Sequence, residues 1–200
     1  MSGFHKVPLN DIEAVEAAIT AQTVAVLLEP IQGEAGVYVA EDEYLRQLRQ
    51  LTQEHDVLLI VDEVQTSVGR TGTLFAFEHA GIKPDIMTLG KGLGGGAPIA
   101  ALLASEAVSC FVPGDQGGTF NGNALMTSVA LAVLKTVSDA VFLDNVIAQE
   151  KYLRTALAEL AAKHDFGSVR GRGLLLALNI GKEEIDAMIG LLDEVAGEIL

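Results

Sequence analysis

Apolar residues fall into two kinds of pattern along this chain. Short continuous runs bounded by turn residues predict buried strands: "TVAVLLEP" ended by Pro30, then "VLLIVDEV", "DIMTL" and "PIAALLA". Elsewhere apolar positions recur every three or four residues. Asn10 followed by Glu13 reads as a capping box that opens a helix to about Ala21. A second helix, from about Asp42 to His55, carries Leu45, Leu48 and Leu51 along one face. The polar loop "QTSVGRTGT" leads to a short helix around Leu74 to His79. Strands buried on both faces and alternating with helices give an α/β fold class with a largely parallel sheet. After the loop "PGDQGGTFNGN" the pattern predicts helices over Ala124–Val137 and roughly Leu143–His164, then one late strand in "VRGRGLLLALNI". A final helix carries Ile185, Met188, Ile189, Leu192, Val195 and Ile199 as one stripe. With no repeat and no low-complexity linker, the boundary falls near Asp139, dividing residues 1–138 from 139–200.

Composition narrows the function classes. Half of the 200 residues are hydrophobic, enough for a sizeable core. The net charge of −14 argues against nucleic acid or an anionic membrane as partner. A single cysteine, Cys110, excludes an internal disulfide framework and fits a reducing, cytoplasmic setting; it reads as a buried, inert thiol. No apolar h-region marks the first twenty residues, and no apolar run reaches membrane-spanning length. His5, His55, His79 and His164 share no ligand spacing, so no metal site is expected.

The chemistry concentrates in "DIMTLGKGLGGGAPIAALLA", which sets Lys91 in a glycine-rich bend. A phosphate loop needs G-x-x-x-x-G-K-[ST]; here Asp85 stands five before Gly90, and Gly92 follows the lysine. The G-x-G-x-x-G spacing from Gly90 also fails as a dinucleotide fingerprint, because a short apolar run rather than a helix follows it. A lysine poised for a Schiff base fits better. Flanking glycines let the backbone approach a flat cofactor, and Asp62, at the carboxyl end of the preceding strand, could keep a pyridine nitrogen protonated. Glu29 and Arg70 read as structural, Arg70 as an ion-pair partner. Arg170 and Arg172 read as surface charges, and Phe120 equally as packing or cofactor contact.

"EPIQGEAGVYV", "LLIVDEVQTSVGRTG", "PDIMTLGKGLGGGAPIAALLA" and "GDQGGTFNGNALM", in this order and covering nearly the whole chain, resemble the class III pyridoxal-phosphate-dependent aminotransferases. The resemblance implies part of the large domain of the fold-type I transferase fold in residues 1–138. It implies a linker helix and part of the small α+β domain in 139–200. It also implies transfer of the ω-amino group of N-acetylornithine, or a related ω-amino donor, to 2-oxoglutarate, in arginine biosynthesis or a related pathway. The cofactor would be pyridoxal 5′-phosphate and the assembly a homodimer. By the same resemblance Lys91 would attach the cofactor and shuttle the proton, and Asp62 would pair with the pyridine nitrogen. Val64 would pack on one ring face and Gln65 would bond near the phenolic oxygen. Glu34 would pair with a switching arginine, so that one pocket takes a cationic amine and a dicarboxylate in turn. Thr119 would reach the neighbouring subunit's cofactor phosphate, on a turn that precedes a helix N-terminus suited to anions.

Against the family's pattern, the glycine/serine/threonine loop that cups the phosphate and the aromatic stacked on the second ring face have no counterpart. "LLLALNI" also runs directly into "GKEEIDAMIG", where the family carries a further helix, strands and a carboxylate-gripping arginine. Ala124 stands where proline is common in the family. The expectation is a truncated, internally shortened aminotransferase. The alternative is a catalytically impaired remnant that binds the cofactor weakly or only dimerises.

Overall fold

The structure, a computed structural model, describes residues 3–164 and 166–179, together with 181, 185, 189 and 190. Of the final apolar stripe, Met188, Leu192, Val195 and Ile199 lie outside the described residues.

Helix α1 (Ile12–Ala18) starts one residue later than the capping box predicts. Asp11, not Asn10, is the N-cap, its Oδ1 accepting from the Ala14 N–H at 2.9 Å. Asn10 instead takes a left-handed φ of 65° and ties the chain to a distant loop, donating to the Val39 carbonyl and accepting from Glu41 N–H. Strand β1 (Ala25–Leu28) follows, then a two-strand hairpin of β2 (Ile31–Gln32) and β3 (Tyr38–Val39) inside what reads as a plain loop. Helix α2 (Asp42–Glu54) has Asp42 and Glu43 in its first turn, where the helix dipole favours anions. It buries the leucine stripe the spacing predicts.

Strands β4 (Leu58–Asp62), β5 (Ile86–Leu89) and β6 (Ala101–Ala104) complete the main sheet in the order β1-β4-β5-β6. The β1–β4 and β4–β5 pairs are parallel and β6 runs antiparallel to β5. One core cluster joins Leu45, Leu48 and Leu51 of α2 to Leu59 and Val61 of β4 and to Val15 of α1. A bidentate pair from Arg49 to Asp85, whose carboxylate also accepts from Leu59 N–H, pins α2 and the entry of β5 to β4.

Three expectations change. First, the edge strands are not covered on both faces: Leu27 of β1 and Leu102 of β6 are 59% and 61% exposed. A continuous apolar run reports that a segment can be buried, not how many layers lie over it. Second, "VRGRGLLLALNI" is not one strand but an antiparallel hairpin of β7 (Val169–Arg172) and β8 (Leu175–Leu178), because the chain folds back at Gly173, whose φ is +61°. Third, Cys110 is exposed, in the open stretch after β6. Helix α3 (Ala124–Val137) matches its prediction. Helix α4 (Ala140–His164) starts three residues early, because the Asp139 side chain caps Val141 N–H at 2.8 Å. No single described helix is long and apolar enough to cross a membrane.

Candidate active site

The carboxyl ends of β4 and β5 carry the chemistry. Asp62 ends β4 and is in register with Thr88 of β5, so the two side chains share one sheet face. Asp62 Oδ1 accepts from the Val64 N–H at 3.0 Å, which fixes the carboxylate and leaves the other oxygen available. Three residues past Thr88, Lys91 opens a 3₁₀ turn over Lys91–Gly94, its own φ at +41°. A left-handed lysine is uncommon, and the β-branched Val37 and Val68, both at +57°, are stronger outliers. Val68 faces Gly92 of the same bend, and Val37 lies in the β2–β3 turn. Strain held in this way is a feature of functional sites.

Gly90 shows why the bend is glycine-rich. A Cβ there would lie 3.3 Å from Val64 Cγ1, so Val64 and the Gly90 backbone meet without a side chain between them. Gly92 faces Val68 in the same way, at 3.4 Å. Across from them lies the β2–β3 turn. A Cβ on Gly33 would meet Gln65 Oε1 at 2.2 Å, so only glycine lets Gln65 reach over that turn. Gln65 Nε2 then donates to Glu34 Oε1 at 2.9 Å, and Lys91 Nζ stands 3.9 Å from the same oxygen. Lys91 and Glu34 are 55% and 87% exposed at their side chains. An ion pair this open is screened by water and holds neither group firmly.

Of the six residues singled out from sequence, five converge here: Glu34, Asp62, Val64, Gln65 and Lys91. These groups fit the ring end of pyridoxal phosphate, with a fixed carboxylate, an apolar wall, a backbone cleared of side chains and an accessible amine. Thr119 does not join them. It stands in an exposed turn before α3, whose N-terminus is capped by Asn123 Oδ1 accepting from Leu125 and Met126 N–H at 3.0 and 3.2 Å. That cap takes up the Leu125 and Met126 N–H groups of the helix end. Phe120 beside it is 80% exposed.

Sequence reasoning passed over Glu63, a fully buried acid directly after Asp62. Its carboxylate accepts from Thr66 Oγ1 and from Phe77 N–H at 2.9 Å, tying β4 to the following loop, and burial pushes its pKa up. His79 closes that loop. Since a carbonyl can only accept, its Nε2–H donates to the Thr71 carbonyl at 3.0 Å, and burial holds its pKa below the usual histidine value. Thr88 Oγ1 is buried without a hydrogen-bond partner among the described residues, one strand over from Asp62.

The arginines also differ from expectation. Arg70 is exposed and forms no ion pair among the described residues; its carbonyl accepts from Leu174 N–H at 2.9 Å. Arg170 and Arg172 are not surface charges. Arg172 makes a bidentate pair with Asp42 at 2.8 and 3.1 Å, and Arg170 donates twice to the Gly36 carbonyl. The Arg172 guanidinium, with burial opposing it, draws the Asp42 carboxyl below the ordinary aspartate range. Two cationic groups flanking Gly171 were the available signal, but their acceptors lie 134 and 130 residues away.

Comparison with known proteins fits this geometry. The profile of the family Aminotransferase class-III matches residues 4–195. An acetylornithine aminotransferase of Ralstonia nicotianae is 54% identical over 181 residues, covering 90% of this chain and 45% of that protein. The crystal structure of acetylornithine aminotransferase from Elizabethkingia anophelis superposes with a TM-score of 0.86 at 42% identity, over 91% of this chain and 49% of that one. An ornithine aminotransferase of Toxoplasma gondii, whose structure shows partial occupancy of PLP at its active site, gives a TM-score of 0.85 at 37% identity, over 92% and 44%. The chain spans about half the length of the relatives it matches, and its α/β sheet is a partial domain of their fold. With the family's profile matched across nearly the whole sequence, this chain belongs to the class-III aminotransferases.

Proposed function

We propose that the chain is the lysine-bearing part of a pyridoxal-phosphate-dependent aminotransferase. It would move the ω-amino group of N-acetylornithine, or a related ω-amino donor, to 2-oxoglutarate. The observation that carries this reading is the convergence of Lys91, Gln65 and Glu34 beside the strand end that holds Asp62. When bound, the cofactor would supply an electron-withdrawing ring that stabilises the carbanion left by proton removal from the substrate. Asp62, fixed by Val64 N–H, would hold the ring nitrogen. Val64 would form one wall against the ring, and Gln65 would bond near the phenolic oxygen. Lys91 Nζ would attach the cofactor and then, released by substrate, carry the proton from one carbon to the other.

Glu34 would pair with a switching arginine, so that one pocket takes a cationic ω-amine and a dicarboxylate in turn. Thr119 would serve the phosphate of a neighbouring subunit in a homodimer. Residues 1–138 would belong to the large domain, and 139–200 to the linker helix and small domain.

Titration with pyridoxal phosphate tests the reading. A visible absorbance band is expected for the wild type and is lost in Lys91→Ala. Glutamate should form from N-acetylornithine and 2-oxoglutarate above the Lys91→Ala background. The absence of a band overturns the binding role. A band without glutamate supports the remnant reading over the catalytic one.

A further inference from the structure

Glu34 is the most exposed group at the site, so its position depends on the backbone beneath it. That backbone is a tight turn. Ala35 and Val37 N–H both donate to the Gln32 carbonyl, at 3.3 and 3.0 Å, and Val37 is held at φ +57°. A turn closed by two bonds onto one carbonyl and strained at a valine needs an outside restraint. Gly36 receives it. Its carbonyl accepts from Arg170 Nε at 3.1 Å and from Arg170 Nη2 at 2.9 Å, and the guanidinium lies 4.9 Å above the ring of Tyr38.

Arg170 can act as a fixed post because β7 is anchored elsewhere. Arg172 is locked to Asp42 at the start of α2, and Arg154 Nη2 donates to the Gly171 carbonyl at 2.7 Å. Gly173 sits so close to the loop after β4 that a Cβ would lie 2.3 Å from the Arg70 carbonyl oxygen. Three attachments thus fix β7, and Arg170 is its only contact of this kind with the turn that bears Glu34 among the described residues.

We propose that Arg170 is a positioning residue for the Lys91 site: it clamps the Gly36 carbonyl and thereby sets Glu34 against Gln65 and Lys91. The position of the C-terminal hairpin is then read at the substrate-charge end of the pocket. The functional half of this inference rests on Lys91 being the cofactor lysine; the clamp itself does not.

Two measurements test it on the same chain. In Arg170→Met, amide exchange at Ala35 and Val37 should quicken by about tenfold or more, since a two-bond contact to a charged donor is lost. Exchange at Leu59 and Val61 in β4 should stay unchanged, which shows that the sheet remains folded. Arg170→Lys, which keeps the charge but not the fork, should fall between the two. The second measurement is pyridoxal phosphate affinity in wild type, Arg170→Met, Glu34→Gln and the double variant. If Arg170 acts through Glu34, Arg170→Met weakens binding in the wild type but adds nothing in the Glu34→Gln background.

Unchanged exchange at Ala35 and Val37 overturns the clamp. Faster exchange with multiplicative losses of affinity, or with no loss of affinity, overturns the link to Glu34. A wild type that binds no cofactor overturns the function proposed above, while the exchange data still decide the clamp.

Discussion

Helices α2 and α4 have opposite fates: α2 carries three leucines and no alanine in its thirteen residues, and α4 four leucines and six alanines in twenty-five. In thirteen residues α2 buries Tyr44, Leu45, Leu48, Leu51 and Thr52. In twenty-five, α4 buries only Val146 and Ala161 among its described positions and exposes Val141, Phe142, Ile147, Tyr152, Leu153 and Leu160. The first helix has the sheet beneath it, with β4 supplying Leu59 and Val61. The second touches the β7–β8 hairpin and α3 along narrow strips. Burial thus follows the neighbours a helix finds, not its own hydrophobicity. The well-buried part of this chain is the block that carries Asp62 and Lys91, while the later helices present apolar surface outward.

The sharpest way to break this contrast is to truncate the best-packed side chain of the first block. Leu48 is fully buried between α1 and the sheet. Leu48→Ala is expected to remove roughly 2–5 kcal/mol of stability, the lost transfer energy plus the cavity left behind. Denaturant unfolding followed by circular dichroism measures it. A loss below that range would mean that the α2 contact is not what holds the block together.

A smaller effect sharpens the picture at the strand end. Glu63 is buried and its folded pKa lies above the ordinary glutamate value of 4.5. Its stabilising contribution is therefore fully present below about pH 4.5 and is lost as pH rises through the raised folded value. Asp42 and Asp85 run the other way and lower, their folded values lying beneath the ordinary 3.8. His79, with a lowered value, contributes stability at pH above 6.5 that is lost as pH falls through its folded pKa. The difference between wild type and Glu63→Gln isolates the glutamate. As pH rises above the ordinary glutamate value of 4.5, the wild type should lose stability relative to the variant. A pH-independent difference would show that Glu63 stays ionised in the loop.

How much of this was readable beforehand depends on the distance over which each feature is encoded. The leucine stripe of α2, the span of α3 and the strand ends carrying Asp62 and Lys91 follow from local periodicity and turn residues. The Asn10–Asp11 cap slipped by one because Asn10 found acceptors and donors near Val39 and Glu41, which no local spacing reports. The β7–β8 hairpin was hidden inside an apolar run because its turn depends on one glycine, Gly173, at positive φ. The Arg170–Gly36 clamp spans 134 residues and leaves no periodic trace. Likewise, apolar runs could not show that Leu27 and Leu102 face outward. Lys91 and its glycines were legible because close backbone approach demands glycine in sequence as well as in space.

The smallest expected effect tests the other side of the comparison. Tyr152 is 74% exposed on α4, and no cluster of buried residues includes it. Truncating it removes little area that folding hides from water, so Tyr152→Ala should shift stability by no more than about 0.5 kcal/mol. Alanine also has the higher helix propensity, which offsets part of any lost contact. The measurement discriminates because it can fail in one direction. A loss approaching that of Leu48→Ala would mean that the outward face of α4 is covered in solution, and the contrast between the two helices would then describe one chain alone rather than the assembly it forms.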